Sequence, residues 1–295
     1  MSCLSYKRGF LTPQKERHKR MDKKELEELT LKQSDKILNA LKSGDREKAL
    51  KECEALAKEF ILIHKGLRKV IEFIMQYVEH YFREEQAKIA KEIEEAVKKK
   101  EDDKVKKLLE EREKQHSVIH DVYIEMMVSC FSYMGKVYGD KGLEGVLRHS
   151  GEMQKQGFIA WENMSVEEFV RATAHLMKTH MGKMKILEDD EKFTFIHDPC
   201  GSGGRLMRER AYDAPKNYHK LEKATAIGFN KENFPCYCSH CAVWNNIQAI
   251  EWFGHPQWVH EAPNSPDEPC KFYIYKDPKK IPERYFKQVG KEMKA

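Results

Sequence analysis

The stretch Met184-Lys-Ile-Leu-Glu-Asp-Asp-Glu-Lys-Phe-Thr-Phe-Ile-His-Asp-Pro-Cys-Gly-Ser-Gly-Gly-Arg205 decides the fold class of this chain. Two runs with strand character, 184–187 and 192–197, flank an acidic turn at 188–191 and predict an antiparallel pair. A further alternating run at 271–275 predicts another half-buried strand. The sequence therefore predicts a small α+β domain with a mainly antiparallel sheet.

Upstream of this stretch the sequence is helical in character. Apolar residues recur at helical spacing from Ala49 to Val78, and Gly44 followed by Asp45 indicates the end of one helix and the cap of the next. Ser165 and Glu168 form a capping-box pattern at the start of a later helix. The prediction is an N-terminal helical bundle.

A weak internal repeat with an offset of 56 residues supports the bundle, because duplicated helical hairpins pack together. It aligns 41–81 with 97–137 and pairs His64 with His120. Two such histidines could bind a metal, or each could make a structural hydrogen bond at a helix junction. Both alternatives stay open at this point.

The change of composition after the helices predicts three segments. These are a basic tail at 1–22, a helical region at 23–181 and an α+β, cysteine-rich domain at 182–295. The tail suggests either an arm for RNA or acidic lipid, or simply a solvated terminus.

Composition narrows the functional class. The 295 residues carry 53 basic and 48 acidic side chains, a net charge of +5, which does not favour nucleic acid as a partner. No apolar run is long enough for a membrane span, and the N-terminus lacks the pattern of a secretion signal. We therefore expect a cytoplasmic protein with reduced cysteines and no membrane partner.

Five of the eight cysteines lie between positions 200 and 270, and three of them form the motif Cys236-Tyr-Cys-Ser-His-Cys241. Thiolates at such spacing can converge on one soft cation. The predicted metal ligands are Cys200, Cys238 and Cys241, with Cys236, His240 or His197 as the fourth. Three ligands plus water would make the site catalytic, and four would make it structural.

Zinc is the expected cofactor, and an iron–sulfur cluster is the alternative, because the spacing does not distinguish the two metals. The competing interpretation is that these cysteines are small buried hydrophobic residues or a redox pair.

The glycine-rich turn next to Cys200 predicts an anion site. Exposed amides, the hydroxyl of Ser202, the amides of Gly203 and Gly204, and the guanidinium of Arg205 could hold a carboxylate or phosphate. Arg205 would also stabilise an oxyanion, and His240 is a candidate general acid or base. The alternatives are a plain tight turn and a supporting role for His240.

Three motifs, 199–205, 235–241 and 269–275, resemble those of the L-2-amino-thiazoline-4-carboxylate hydrolase-like group, which is distantly similar to 4-vinyl reductase-type small-molecule-binding domains. About ninety residues are covered, and the matching positions are Cys200, Cys241 and Cys270. The resemblance implies an α+β ligand-binding domain and, for the hydrolase branch, the opening of a small sulfur- or nitrogen-containing ring. The extra thiols of Cys236 and Cys238 depart from that group's simpler pattern.

Together these patterns predict a metal-dependent enzyme, a hydrolase acting on a small anionic organic molecule. One alternative is a zinc-stapled binding or sensor protein without catalysis, and another is an iron–sulfur accessory protein. The helical region is a candidate surface for homodimer formation.

Overall fold

The computed structural model describes residues 21–293, except for the side chain at position 60. The predicted basic tail lies outside the described residues apart from its last two positions. The chain divides into two compact units, Met1–Glu92 and Ile93–Ala295, and the division lies within a helix.

Five helices precede the first strand, and the described part of the chain is an α+β structure with a long helical region, as predicted. The bounds are α1 Lys23–Thr30, α2 Gln33–Lys42, α3 Arg46–Lys98, α4 Asp102–Glu162 and α5 Val166–Lys178.

The helix boundaries follow local capping chemistry. Gly44 has φ 78°, and the Asp45 side chain accepts a hydrogen bond from the Lys48 amide at 2.9 Å. The predicted capping box at Ser165 and Glu168 is present, with both reciprocal hydrogen bonds formed. These boundaries are confirmed.

Helix α4 contains a kink that the sequence analysis did not predict. Gly139 has φ 67° and ψ −168°, which a side chain would disfavour. The kink divides one long apolar pattern into two segments.

The first unit contains a strongly apolar portion of α3. Its exposed side chains include Ile61, Leu62, Leu67, Ile71 and Ile74. Within the described residues, no helix combines the length and apolarity that crossing a membrane requires.

The second unit contains an antiparallel sheet of four strands in the order β1-β2-β6-β5. These strands are β1 Met184–Glu188, β2 Lys192–His197, β5 Val259–Glu261 and β6 Cys270–Tyr275. Strands β3 Lys220–Leu221 and β4 Phe234–Pro235 form a small separate pair. The predicted antiparallel sheet is confirmed.

A helical segment follows the cysteine motif, and its middle is a π-helix instead of an α-helix. It comprises α7 Ser239–Ala242, a π-helical segment Val243–Gln248 and α8 Ala249–Phe253. Gly254, with φ 87°, ends it. Two further short helices are α6 Gly203–Arg208 and α9 Arg284–Lys287.

Two hydrophobic clusters hold the second unit together. The larger cluster joins α4, through residues such as Val128 and Leu147, to the cysteine-rich segment through Tyr237 and Val243. The smaller cluster packs Phe169 of α5 against the sheet. Helices α4 and α5 therefore share a core with the sheet.

Candidate functional site

The second unit encloses a cavity of about 280 Å³ beside its sheet. Its wall is mainly aromatic and aliphatic, and polar groups converge on it from several segments of the chain. That combination is typical of small-molecule sites. Four thiols and four imidazoles line it: Cys200, Cys238, Cys241, Cys270, His180, His197, His240 and His260.

The cavity thiols come from three segments, and they include Cys200, Cys238 and Cys241, the predicted metal ligands. The fourth is Cys270, at the start of β6. Cys236 is instead fully buried in the larger hydrophobic cluster and does not line the cavity. Within this motif, Cys238 and Cys241 therefore face the cavity, whereas Cys236 faces the hydrophobic core.

Burial governs the chemistry of these thiols. Together with the neighbouring Cys200, it raises the pKa of Cys270 to about 12. Burial and the neighbouring thiols also raise the pKa values of Cys238 and Cys241 well above the ordinary value. Cys238, Cys241 and Cys270 are therefore neutral thiols near pH 7.

One thiol is hydrogen-bonded to an imidazole. Cys241 Sγ lies 3.3 Å from His240 Nε2, and His240 Nδ1 lies 2.6 Å from the carbonyl oxygen of Tyr237. A carbonyl accepts only, so Nδ1 donates and Nε2 accepts the thiol proton. A thiol, an imidazole and an orienting carbonyl thus lie in the order in which a nucleophile, its base and a third group are arranged in covalent catalysis.

The cavity histidines are neutral. Burial lowers the pKa of His240 and His197 to about 4 and that of His260 to about 3. Burial and the nearby imidazoles of His240 and His120 lower the pKa of His180 to about 4.

His197 leaves a buried polar atom unsatisfied. Its side chain is 4% exposed, and Nε2 has no hydrogen-bond partner among the described residues. Such atoms are costly in a protein interior and commonly mark a place where a ligand binds. His197, one of the predicted fourth ligands, therefore presents an unused nitrogen at the cavity wall.

The glycine-rich turn between β2 and α6 lines the cavity with Ser202, Gly203 and Gly204, the predicted substrate-binding residues. The turn is tightly enclosed. A Cβ on Gly201 would lie 1.6 Å from the carbonyl oxygen of His180, and one on Gly203 would lie 2.6 Å from Cys238 Sγ. Only glycine allows this approach.

Arg205 has protein partners instead of facing the cavity. Its Nη2 lies 3.1 Å from Asp121 Oδ1, its Nη1 donates to Glu209 at 2.8 Å, and its Nε donates to the Gly201 carbonyl at 3.1 Å. Arg205 is not among the cavity-lining residues, and its predicted oxyanion role stays a prediction.

The donor chemistry of the cavity fits zinc, but the spacing does not. In residues 21–293, no three His, Cys, Asp or Glu side chains are grouped so that they could hold a metal ion.

Four site residues were missed by the sequence analysis: Asp121, Tyr237, and His180 and His260 as cavity residues. His120, considered there only as a partner of His64, contacts Ser202, 82 positions further along the chain. No local motif links these positions. Proximity of His180 to the following strand was the only signal available.

Comparison with known proteins gave no match. No family model, no curated protein and no solved structure matches this chain.

Proposed function

We propose that the protein is a hydrolase that acts on a small organic molecule in this cavity, with Cys241 as nucleophile and His240 as its base. The observation that carries the proposal is the Cys241–His240–Tyr237 hydrogen-bond chain, with separations of 3.3 Å and 2.6 Å. The unsatisfied Nε2 of His197 supports a bound ligand.

The substrate class follows from the resemblance to L-2-amino-thiazoline-4-carboxylate hydrolase-like proteins, in which Cys241 is one of the matching positions. We propose a small, anionic, sulfur- or nitrogen-containing ring compound. The cavity's volume of about 280 Å³ and its aromatic wall suit a ligand of that size and shape.

The proposed reaction uses the neutral pair. As Cys241 Sγ bonds to the electrophilic ring carbon, its proton passes to His240 Nε2. His240 then gives that proton to the ring heteroatom as its bond to carbon breaks. Water cleaves the S–C bond, adding its hydroxyl to carbon while a proton returns through His240 to the sulfur. The net change is addition of one water.

Turnover of L-2-amino-thiazoline-4-carboxylate by the full-length protein, followed by mass spectrometry, tests this proposal. We expect C241A and H240Q to lower the rate at least about 10²-fold. C130A is the matched control, because Cys130 is exposed and does not line the cavity. Full turnover by C241A would contradict the assignment.

A second test needs no substrate. Cys241 should react with iodoacetamide more slowly in H240Q than in wild type, while the exposed Cys53 and Cys130 serve as internal references. Equal Cys241 rates in both proteins would exclude His240 as its base. Ligand binding without turnover in the first assay would indicate the binding or sensor alternative.

The second candidate function is zinc binding, which is favoured by the four mutually interacting thiols that line one cavity. Binding would require these side chains to move closer together. Metal analysis of anaerobically purified protein tests it: zinc should be retained in C236S and lost in C270S. A brown protein with iron would indicate the iron–sulfur alternative.

The proposed compartment is the cytoplasm. Every cysteine within the described residues is a free thiol, which suits a reducing environment.

We also propose a homodimer through the helical region. An exposed group of large apolar side chains commonly marks a protein–protein contact, and α3 exposes Ile61, Leu62, Leu67, Ile71 and Ile74 among its charged residues. Light scattering should give twice the chain mass for wild type and a lower mass for I71E. A wild-type monomer would refute the dimer.

A further inference from the structure

The wall of the cavity carries an oxygen nucleophile in addition to its thiols. Ser202 Oγ lies 3.1 Å from His120 Nε2 and 2.9 Å from His180 Nδ1. Ser202 is 2% exposed and lines the cavity, whereas His120 stands behind it, outside the lining. Base-assisted attack requires a hydroxyl that faces the substrate and an imidazole that accepts its proton from the opposite side. Ser202 and His120 are placed in this way.

The direction of each hydrogen bond follows from the next group outward. His120 Nδ1 lies 3.0 Å from Asp121 Oδ1. A carboxylate only accepts, so Nδ1 donates. Burial lowers the pKa of His120, which keeps the ring neutral and leaves Nε2 free to accept the Ser202 proton.

His180 completes the set from the other side. With the Ser202 proton directed to His120, the Nδ1–H of His180 donates to Ser202 Oγ. The two rings meet edge to face at 5.8 Å between centroids. The phenol of Tyr237 also hydrogen-bonds the Ser202 side chain, so three side chains surround this hydroxyl.

Arg205 fixes the far end of the chain of contacts. It pairs with Asp121 at 3.1 Å and also donates to the Gly201 carbonyl, one residue before Ser202. One guanidinium thus holds both the carboxylate that orients the base and the turn that presents the hydroxyl. Arg205 is a positioning residue in this arrangement.

We propose that Ser202 is an activated nucleophile, with His120 as its base and Asp121 as the orienting carboxylate. The three roles match those that define a serine hydrolase site by geometry rather than by sequence order. Oxygen attacks hard electrophiles, so the substrate class is an ester, an amide or an organophosphorus group. This inference does not depend on the Cys241 reaction.

The proposed step conserves atoms and charge. Ser202 Oγ bonds to the acyl carbon or phosphorus, and its proton passes to His120 Nε2. The bond to the leaving group breaks, and His120 delivers the proton to that group. With a fluorophosphonate probe, the P–F bond breaks, and fluoride and the proton leave together.

Labelling of the full-length protein with a fluorophosphonate, read by peptide mass spectrometry, tests the proposal. We expect the adduct on Ser202, no adduct at that peptide in S202A, and at least about 10²-fold slower labelling in H120A and H120Q. S150A is the matched control, because Ser150 Oγ bonds only helical carbonyls in α4. Circular dichroism verifies that each variant is folded.

Two further readouts separate catalysis from a structural role. Free imidazole should restore part of the labelling in H120A, because it can occupy the vacated site and accept the proton. C130A should keep the fluorophosphonate adduct, because Cys130 is exposed and does not line the cavity. No adduct on folded wild type, an adduct elsewhere only, or unchanged labelling in H120A and H120Q would overturn the proposal.

Discussion

Trp258 Nε1 donates a hydrogen bond to Thr173 Oγ1 over 3.1 Å, and both side chains are buried. This bond joins α5 to the segment that enters β5, so it ties the last long helix to the sheet.

Replacing Thr173 by valine should destabilise the protein by about 1–3 kcal/mol, because the buried indole N–H would lose its partner. T179V is the control, since Thr179 is exposed and its hydroxyl bonds only a helical carbonyl. Urea unfolding measures both, and equal losses would show that the Trp258 bond contributes nothing specific.

Gly201→Ala should cost at least about 1–3 kcal/mol, because its Cβ would overlap the His180 carbonyl at 1.6 Å. Gly145→Ala in α4 meets nothing within 4 Å and should stabilise by about 0.5–1 kcal/mol. Thermal unfolding distinguishes them. A G201A protein as stable as wild type would show that the turn can shift away.

Stability should be greatest between about pH 6.5 and pH 9. His180, His197 and His240 have folded pKa values of about 4 against an ordinary 6.5, so the unfolded chain binds more protons below pH 6.5 and stability falls towards pH 4. Cys236 and Cys270 have folded pKa values of about 12 against 9.0, so stability falls again above pH 9.

The measurement is the urea midpoint at intervals from pH 4 to pH 10. H240Q is the informative variant, because it should flatten part of the acid limb by removing one of these groups. A midpoint independent of pH below 6.5 would show that the cavity histidines are solvated.

His197→Phe should leave unfolding free energy within about 1 kcal/mol of wild type or raise it, because it removes a buried nitrogen that has no partner in the described chain. Ligand binding or turnover should fall, since the group is expected to contact the ligand. A large loss of stability in urea would instead assign His197 a structural role.

The sheet, most helix boundaries and the cysteine-bearing segments could be predicted because their signals are local. Alternation predicts β2, and the serine–glutamate pair at positions 165 and 168 predicts the start of α5. The kink at Gly139 and the π-helical segment were not predicted. The π-helical segment packs against α4 through Val243 and Ile247, and the local sequence does not show that contact.

The candidate site was only partly predictable for the same reason. Spacing indicated Cys200, Cys238 and Cys241, and the structure brings them to one cavity. Spacing alone could not indicate that Cys236 faces the hydrophobic core, nor that His120 contacts Ser202. Those outcomes depend on side-chain direction and on contacts across 82 positions of the chain.

That long separation has a practical consequence for anyone who shortens this protein. A fragment starting at residue 182 would retain five of the eight cysteines and the whole sheet, yet it would lack the imidazole and carboxylate that α4 contributes. A hard electrophile such as a fluorophosphonate would then meet an ordinary alcohol at position 202. A chain shortened to its cysteine motifs would therefore lack the proposed base, His120, and the carboxylate of Asp121 that orients it.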